Sequence, residues 1–296
     1  MEIIKTDPAR FRNITDFPYK ENYLKFEHAG HQLDMHYIDE GEGETILALH
    51  GEPSWSYLYR KFIPVLKDYR FIAPDLIGFG KSDKIVSWKD YSFAMHLASL
   101  QNFIDKLDLN DISIIVQDWG GLLGLSLLGA QPERFKRVVI LNTFLPIGKP
   151  MSAFFKVWQA YAKHHPSLPV GKIIQKGSHT TLSKEVIAAY DAPFPSRKHK
   201  GGAASFPALI PSKPESEGVP ELKKAREVLG NWTKPSLVLF SDKDKILGKA
   251  YKLFHGLLPE SDLNIRGTIH DAGHFLQEEK GEEIAGWVER FMVLDA

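Results

Sequence analysis

The sequence predicts an α/β protein: a mostly parallel central sheet with helices on both faces and an inserted helical cap domain. Three observations carry this. Short apolar runs alternate with helix-length stretches through the first 145 residues. The alternation stops between about Pro146 and Pro220, where helical pieces and Pro-rich loops such as Ala192-Pro193-Phe194-Pro195 take over. It then resumes to the C-terminus. The expected division is therefore core 1–145, cap 146–224 and core 225–296, which suits a chain of 296 residues.

The elements follow in order. Residues 23–28 (YLKFEH) and 32–38 (QLDMHYI) alternate in character around Ala29-Gly30 and predict a hairpin. Residues 45–49 (TILAL) form an apolar run of strand length. Residues 56–67 (SYLYRKFIPVLK) space their apolar positions as a helix would. Residues 70–74 (RFIAP) read as a strand stopped by Pro74. Residues 91–107 place Phe93, Leu97, Leu100, Phe103, Ile104 and Leu107 on one helical stripe. A buried-type strand (112–117, ISIIVQ) and a tightly packed helix (Gly120 to Leu128) come next, then a strand at 137–141. In the cap, 152–164 and 183–190 read as helices. Beyond it come a strand at 235–240, a helix near 247–257, a strand near 262–266 and a last helix at 281–293.

Composition excludes several classes. With 43% hydrophobic and 25% charged residues the chain has enough apolar material for a core and is not of disordered type. Lys+Arg and Asp+Glu both number 37, so there is no basic excess of the kind that neutralises a phosphate backbone; no nucleic-acid partner is expected. The absence of cysteine removes disulfides, thiolate metal sites and a cysteine nucleophile, and leaves the redox compartment undecided. No run of about 18 apolar residues predicts a membrane span, and the N-terminus lacks the apolar segment of a signal peptide. A cytoplasmic monomer is the default expectation.

Open parallel sheets place ligands at the carboxyl ends of their strands. Those ends here carry His50-Gly51-Glu52-Pro53, Asp75 to Ser82, Asp118-Trp119-Gly120-Gly121, Asn142-Thr143, Ser241 to Asp244, and Asp271 to His274. The segment around Asp118 has the form of a nucleophile elbow, a sharp strand-to-helix turn with small residues beside it. The match to the serine motif is incomplete: Val116 replaces its first glycine and Asp118 its serine.

The strings HGEPSWSYLYRKFIP (50–64), DLIGFGKSD (75–83), VQDWGG (116–121), YDAPFP (190–195) and DAGHFLQE (271–278) together resemble the haloalkane dehalogenases of the α/β-hydrolase fold. The likeness spans core and cap. It implies hydrolysis of a small halogenated aliphatic substrate by water, releasing halide, without cofactor or metal. Asp118 matches the carboxylate that displaces halide and forms an ester. His274 matches the base that activates water, and Asp244 the buried acid that orients it. In another branch of the family the acid is a Glu after the strand before the cap; Asn142 holds that place here and supplies no charge. By the same resemblance the oxyanion hole is formed by the N–H groups of Glu52 and Trp119, and the halide is held by the indoles of Trp119 and Trp158. Phe154, Phe155, Phe194, Phe206 and Pro207 are expected to line the apolar pocket.

Competing assignments are weighed on context. Asp242 flanks the same lysine as Asp244, and His270 precedes His274; both read as surface turn residues. His50 reads as a structural hydrogen-bonding group, and Glu52 as lending its backbone. His28, His31 and His36 have metal-like spacing but are read as sitting on the hairpin without carboxylate company, so no metal is expected. Gly78-Phe79-Gly80-Lys81-Ser82 lacks the spacing of a phosphate loop. Two rival functions stay open: epoxide hydrolysis, which would call on two cap tyrosines such as Tyr161 and Tyr190, and a non-catalytic ligand-binding relative.

Overall fold

The computed structural model describes residues 1–150, 153–165 and 168–294. In chain order the strands are β1 (Ile3–Ile4), β2 (Asn22–His28), β3 (His31–Glu40), β4 (Thr45–Leu49), β5 (Arg70–Pro74), β6 (Lys84–Ile85), β7 (Ile112–Gln117), β8 (Phe135–Leu141), β9 (Ser236–Ser241) and β10 (Asn264–Ile269). β1 and β6 make a small antiparallel pair. The other eight form one sheet in the order β10-β9-β8-β7-β4-β5-β3-β2, in which only the β2–β3 and β3–β5 pairings are antiparallel.

Burial explains the sequence of each strand. β7, near the centre, is buried at every position, so both faces demand apolar side chains and the run is almost continuous. β2, at the edge, alternates buried Leu24 and Phe26 with exposed neighbours. It turns into β3 through Ala29 and Gly30, both at positive φ (49° and 75°), as a two-residue hairpin turn requires.

The helices are α1 (Phe93–Lys106), α2 (Trp119–Ala130), α3 (Ala153–His164), α4 (Val170–Gly177), α5 (Lys184–Asp191), α6 (Gly201–Leu209), α7 (Val219–Gly230), α8 (Tyr251–Leu257) and α9 (Leu276–Met292). Ser92 caps α1 by accepting from Met95 N–H, and Glu217 accepts from the N–H groups of Phe93 and Ala94. α2 is apolar all round because it is buried all round. α7 packs along it: a Cβ on Gly129 would lie 2.8 Å from the Ala225 backbone. α7 runs through the expected 224/225 division. None of the helices among the described residues is long and apolar enough to cross a membrane.

Three expectations need correction. Residues 56–67 form only a short 3-10 turn, Ser56–Tyr59, followed by turns; Pro64 cannot donate the backbone bond that a continuous helix needs there. The last helix starts five residues earlier than expected, with an irregular Lys280 inside it. The penultimate segment pairs over Asn264–Ile269 rather than 262–266.

Candidate active site

β7 passes directly into α2 at Asp118, whose backbone sits at φ 49°, ψ −122°. A non-glycine residue pays for this conformation in strain, and its surroundings hold it there. Asp118 N–H donates to Asn142 O (3.1 Å), and its carbonyl accepts from Gly121 N–H (2.9 Å) and the Thr143 hydroxyl (2.7 Å). The two positions after Trp119 tolerate no side chain. A Cβ on Gly120 would lie 2.1 Å from Leu49 O, and one on Gly121 1.9 Å from Thr143 Oγ1. The loop after β4 is equally close. A Cβ on Gly51 would meet Asp118 Oδ1 at 2.5 Å, so glycine lets the Glu52 N–H donate to that oxygen at 2.8 Å.

His274, on the loop between β10 and α9, faces the other oxygen. Its Nε2 is 3.5 Å from Asp118 Oδ2, and its Nδ1 is 3.0 Å from Asp244 Oδ2 on the loop after β9. The Asp244 side chain is fully buried; its second oxygen accepts from the N–H groups of Ile246 (2.7 Å) and Leu247 (3.1 Å). Burial alone would raise the Asp244 pKa. The imidazole and the two N–H groups outweigh it and hold the carboxyl below its usual range. Burial would likewise lower the His274 pKa, but Asp244 first and Asp118 second push it up to about 10. Glu52 behaves oppositely: burial, then the nearby Asp118 charge, push its carboxyl well above the usual range, and its Oε1 has no hydrogen-bond partner among the described residues.

The aromatic residues cluster beside the elbow. Phe206 of α6 stacks on Trp119 with centroids 4.4 Å apart, and also touches Phe79 (4.8 Å) and His96 (4.5 Å). Phe194 meets Phe79 edge-on. Pro207 is buried in α6 and its carbonyl accepts from Gln159 of α3 (2.6 Å). Phe155 is partly buried against the core, while the side chain of Phe154 lies outside the described residues. Trp158 stacks on Tyr161 at 5.6 Å. No ring contact joins it to Trp119 among the described residues.

The competing residues are placed elsewhere. Asp242 accepts from Asp271 N–H and pairs with Lys243 and the exposed His270. Buried His50 has Nδ1 on Gly51 O and accepts Leu76 N–H at Nε2, a fixed structural role. His36 does have a carboxylate partner, contrary to the sequence reading. Asp75 comes 2.7 Å from its Nδ1 across the sheet, in a buried pair that also accepts from the N–H groups of Ser56 and Lys81. Tyr190 is buried and donates to Glu278 (2.7 Å), which holds Arg60 by two bonds of 2.6 Å.

Two residues near the imidazole escaped the sequence reading. Gln117 Nε2 lies 3.2 Å from both His274 Nε2 and His274 O. Its signal was a lone polar residue ending an apolar buried strand. Asn142, singled out only for the charge it lacks, joins three loops: its amide donates to Ser241 Oγ, Gly273 O and His274 O, and its Oδ1 accepts from Ser241 N–H.

Comparison with known proteins places the chain. The family model for the alpha/beta hydrolase fold matches residues 44–281. A haloalkane dehalogenase of Psychrobacter cryohalolentis is 42% identical over 99% of this chain and 98% of its own length. One of Mycolicibacterium paratuberculosis is 41% identical over 96% of each. The solved tetrameric structure of a haloalkane dehalogenase from Paraglaciecola agarilytica superposes with a TM-score of 0.91 at 36% identity, covering 99% of this chain and all of that one. An elbow bearing a carboxylate, in a fold and sequence shared along their full length with these proteins, makes the chain a member of the haloalkane dehalogenases of the α/β-hydrolase fold.

Proposed function

We propose that Asp118, His274 and Asp244 carry out the hydrolytic cleavage of a carbon–halogen bond in a small halogenated aliphatic compound, giving an alcohol, a halide ion and a proton. The observation that supports this best is the line Asp118–His274–Asp244, with imidazole contacts of 3.5 and 3.0 Å and Asp118 raised on the elbow. Asp118 Oδ2 attacks the carbon, the bonding pair leaves with the halide, and an alkyl ester forms. Asp118 Oδ1, already held by Glu52 N–H, becomes the ester carbonyl oxygen. Water then attacks that carbonyl carbon while His274 Nε2 takes its proton. The charge that develops on Oδ1 is stabilised by the N–H groups of Glu52 and Trp119. On collapse His274 returns that proton to the departing alkoxide, giving the alcohol, and the new carboxyl group gives up its own proton to restore the carboxylate. Atoms balance with haloalkane and water alone.

The same proposal gives the halide to the indole N–H groups of Trp119 and Trp158, and the substrate chain to Phe154, Phe155, Phe194, Phe206 and Pro207. Bromide quenching of tryptophan fluorescence tests the indoles: Trp119→Phe and Trp158→Phe should each reduce it, and unchanged quenching rejects the residue concerned. A cap over 146–224, a cytoplasmic location and a monomer complete the reading. Cell fractionation and light scattering check the last two, the Paraglaciecola relative being a tetramer by its description. Epoxide hydrolysis is disfavoured, because the Tyr190 hydroxyl is bound to Glu278 and cannot also activate an epoxide.

Isotope labelling tests the core of the scheme. A single turnover in ¹⁸O-water should put label into the Asp118 carboxylate and none into the alcohol, and His274→Phe should accumulate the ester by intact mass. Label that enters only the alcohol would rule out the covalent route.

A further inference from the structure

The loop that carries His274 is held from two directions. On the core side, Gly273 O accepts from Ser241 Oγ (2.6 Å) and the Asn142 amide (3.1 Å). On the cap side, His274 N–H donates to the carbonyl of Gly177, the last residue of α4, at 2.6 Å. The two surfaces touch without slack. A Cβ on Gly273 would lie 2.3 Å from that same carbonyl oxygen, and one on Gly177 would lie 2.5 Å from the Phe275 ring. The turn after α4 is itself kept folded by Gln175, whose amide bonds Thr180 O and Leu182 N–H.

One carboxylate closes this contact. Glu279 Oε1 accepts from Thr180 N–H (2.5 Å) and Thr180 Oγ1 (2.8 Å), and its Oε2 accepts from Gly273 N–H (2.6 Å). Charge-assisted bonds of this kind are about twice as strong as neutral ones. We infer that Glu279 is a positioning residue that couples the seating of the cap to the placement of His274, by gripping Thr180 with one oxygen and the base loop with the other. The inference rests on the reading of His274 as the base. Asp118 has its own supports on β7, β8 and the loop after β4, none of which passes through Glu279. Loss of the grip therefore disturbs ester hydrolysis and spares ester formation.

Steady-state kinetics separate the two steps. When hydrolysis of a covalent intermediate slows, kcat and KM fall together and kcat/KM holds. Glu279→Ala should lower both constants about 10-fold, less than the hundredfold that a 1 Å misplacement can cause, and should show the Asp118 ester by intact mass. Thr180→Val removes one of the two donors from the cap side and should move both constants the same way by about 3-fold. Glu279→Gln, which keeps one acceptor oxygen, should fall between wild type and Glu279→Ala. Should Glu279→Ala fail to fold, the Thr180→Val result decides alone. A parallel fall in kcat and kcat/KM, or wild-type constants in Thr180→Val, overturns the coupling. An ester in His274→Phe but none in Glu279→Ala overturns it while leaving the base assignment intact. No ester in His274→Phe removes the base assignment on which it rests.

Discussion

Replacing Asp118 by Asn removes one charge from beside His274 with little change of shape, and so imitates what ester formation does to the site. In the free enzyme the imidazole lies between two carboxylates, which push its pKa up to about 10. At neutral pH it is then a cation, unable to accept a proton. A unit charge at the observed 3.5 Å contributes about 5 kcal/mol at an effective dielectric of about 20. At about 1.4 kcal/mol per pH unit, its loss should bring the midpoint of the His274 titration down by roughly 3 to 4 pH units. The sign follows directly. A group whose cation is stabilised by a carboxylate loses its proton more readily when that carboxylate is neutralised. Alkylation would thus switch the base on: the imidazolium sheds its proton once Asp118 is esterified, and then serves the incoming water. NMR titration of the His274 imidazole in wild type and Asp118→Asn measures the change. A drop of less than one pH unit would refute the switch and would leave the base needing another route to its neutral form.

Other perturbations follow from the same geometry. Asp244→Asn should leave ester formation intact but slow its hydrolysis by on the order of 10³–10⁴, read by rapid quench and intact mass; equal loss in both steps would contradict its role as the orienting acid. Gly120→Ala places a methyl 2.1 Å from Leu49 O and should cost about 1–3 kcal/mol in urea unfolding, with turnover falling as the elbow shifts. Arg60→Leu takes both charge-assisted bonds from the buried Glu278, leaving it the Tyr190 hydroxyl and Lys61 at 3.7 Å, and should cost about 3–5 kcal/mol, most of it recovered in the Arg60→Leu/Glu278→Leu double variant; no recovery would show that packing around Tyr57, over whose ring Arg60 lies at 3.9 Å, dominates.

What could be read from the sequence follows burial. β4, β5 and β7 occupy the ranges expected of them, because central parallel strands need apolar residues on both faces and stop where polarity begins. β10 was displaced in the reading: it is an edge strand, half-exposed along NIRGTI, and its pattern is correspondingly weak. α6 was missed for the opposite reason. GGAASFPAL carries two glycines and a proline, poor helix formers, yet seven of its nine residues are buried. Its glycines are demanded by contact, since a Cβ on Gly201 would meet Ile85 O at 2.1 Å. Packing supplies what local propensity withholds. At the site, Asp118, Asp244 and His274 were singled out by their likeness to the dehalogenase strings, and the structure brings the three side chains together at 3.5 and 3.0 Å. Gln117, Glu279 and the Tyr190–Glu278–Arg60 cluster were not, because their partners lie far away in the chain and only the fold brings them together.

On the proposed scheme the two carboxylates flanking one imidazole differ in how free each is to attack, a distinction that residue type alone leaves open. Asp244 has no exposed side-chain surface and spends both oxygens, one on Ile246 and Leu247 N–H groups and the other on His274. A substrate carbon has no approach to it. Asp118 keeps 14% of its side chain accessible, with only one oxygen anchored by a backbone donor. Among the described residues no hydrogen bond is made to its Oδ2, and the imidazole lies 3.5 Å away, a distance that leaves the lone pair weakly engaged. The carboxylate with an open face and an unspent oxygen is the one that can form a bond to carbon. The saturated one can only hold the ring and carry its charge.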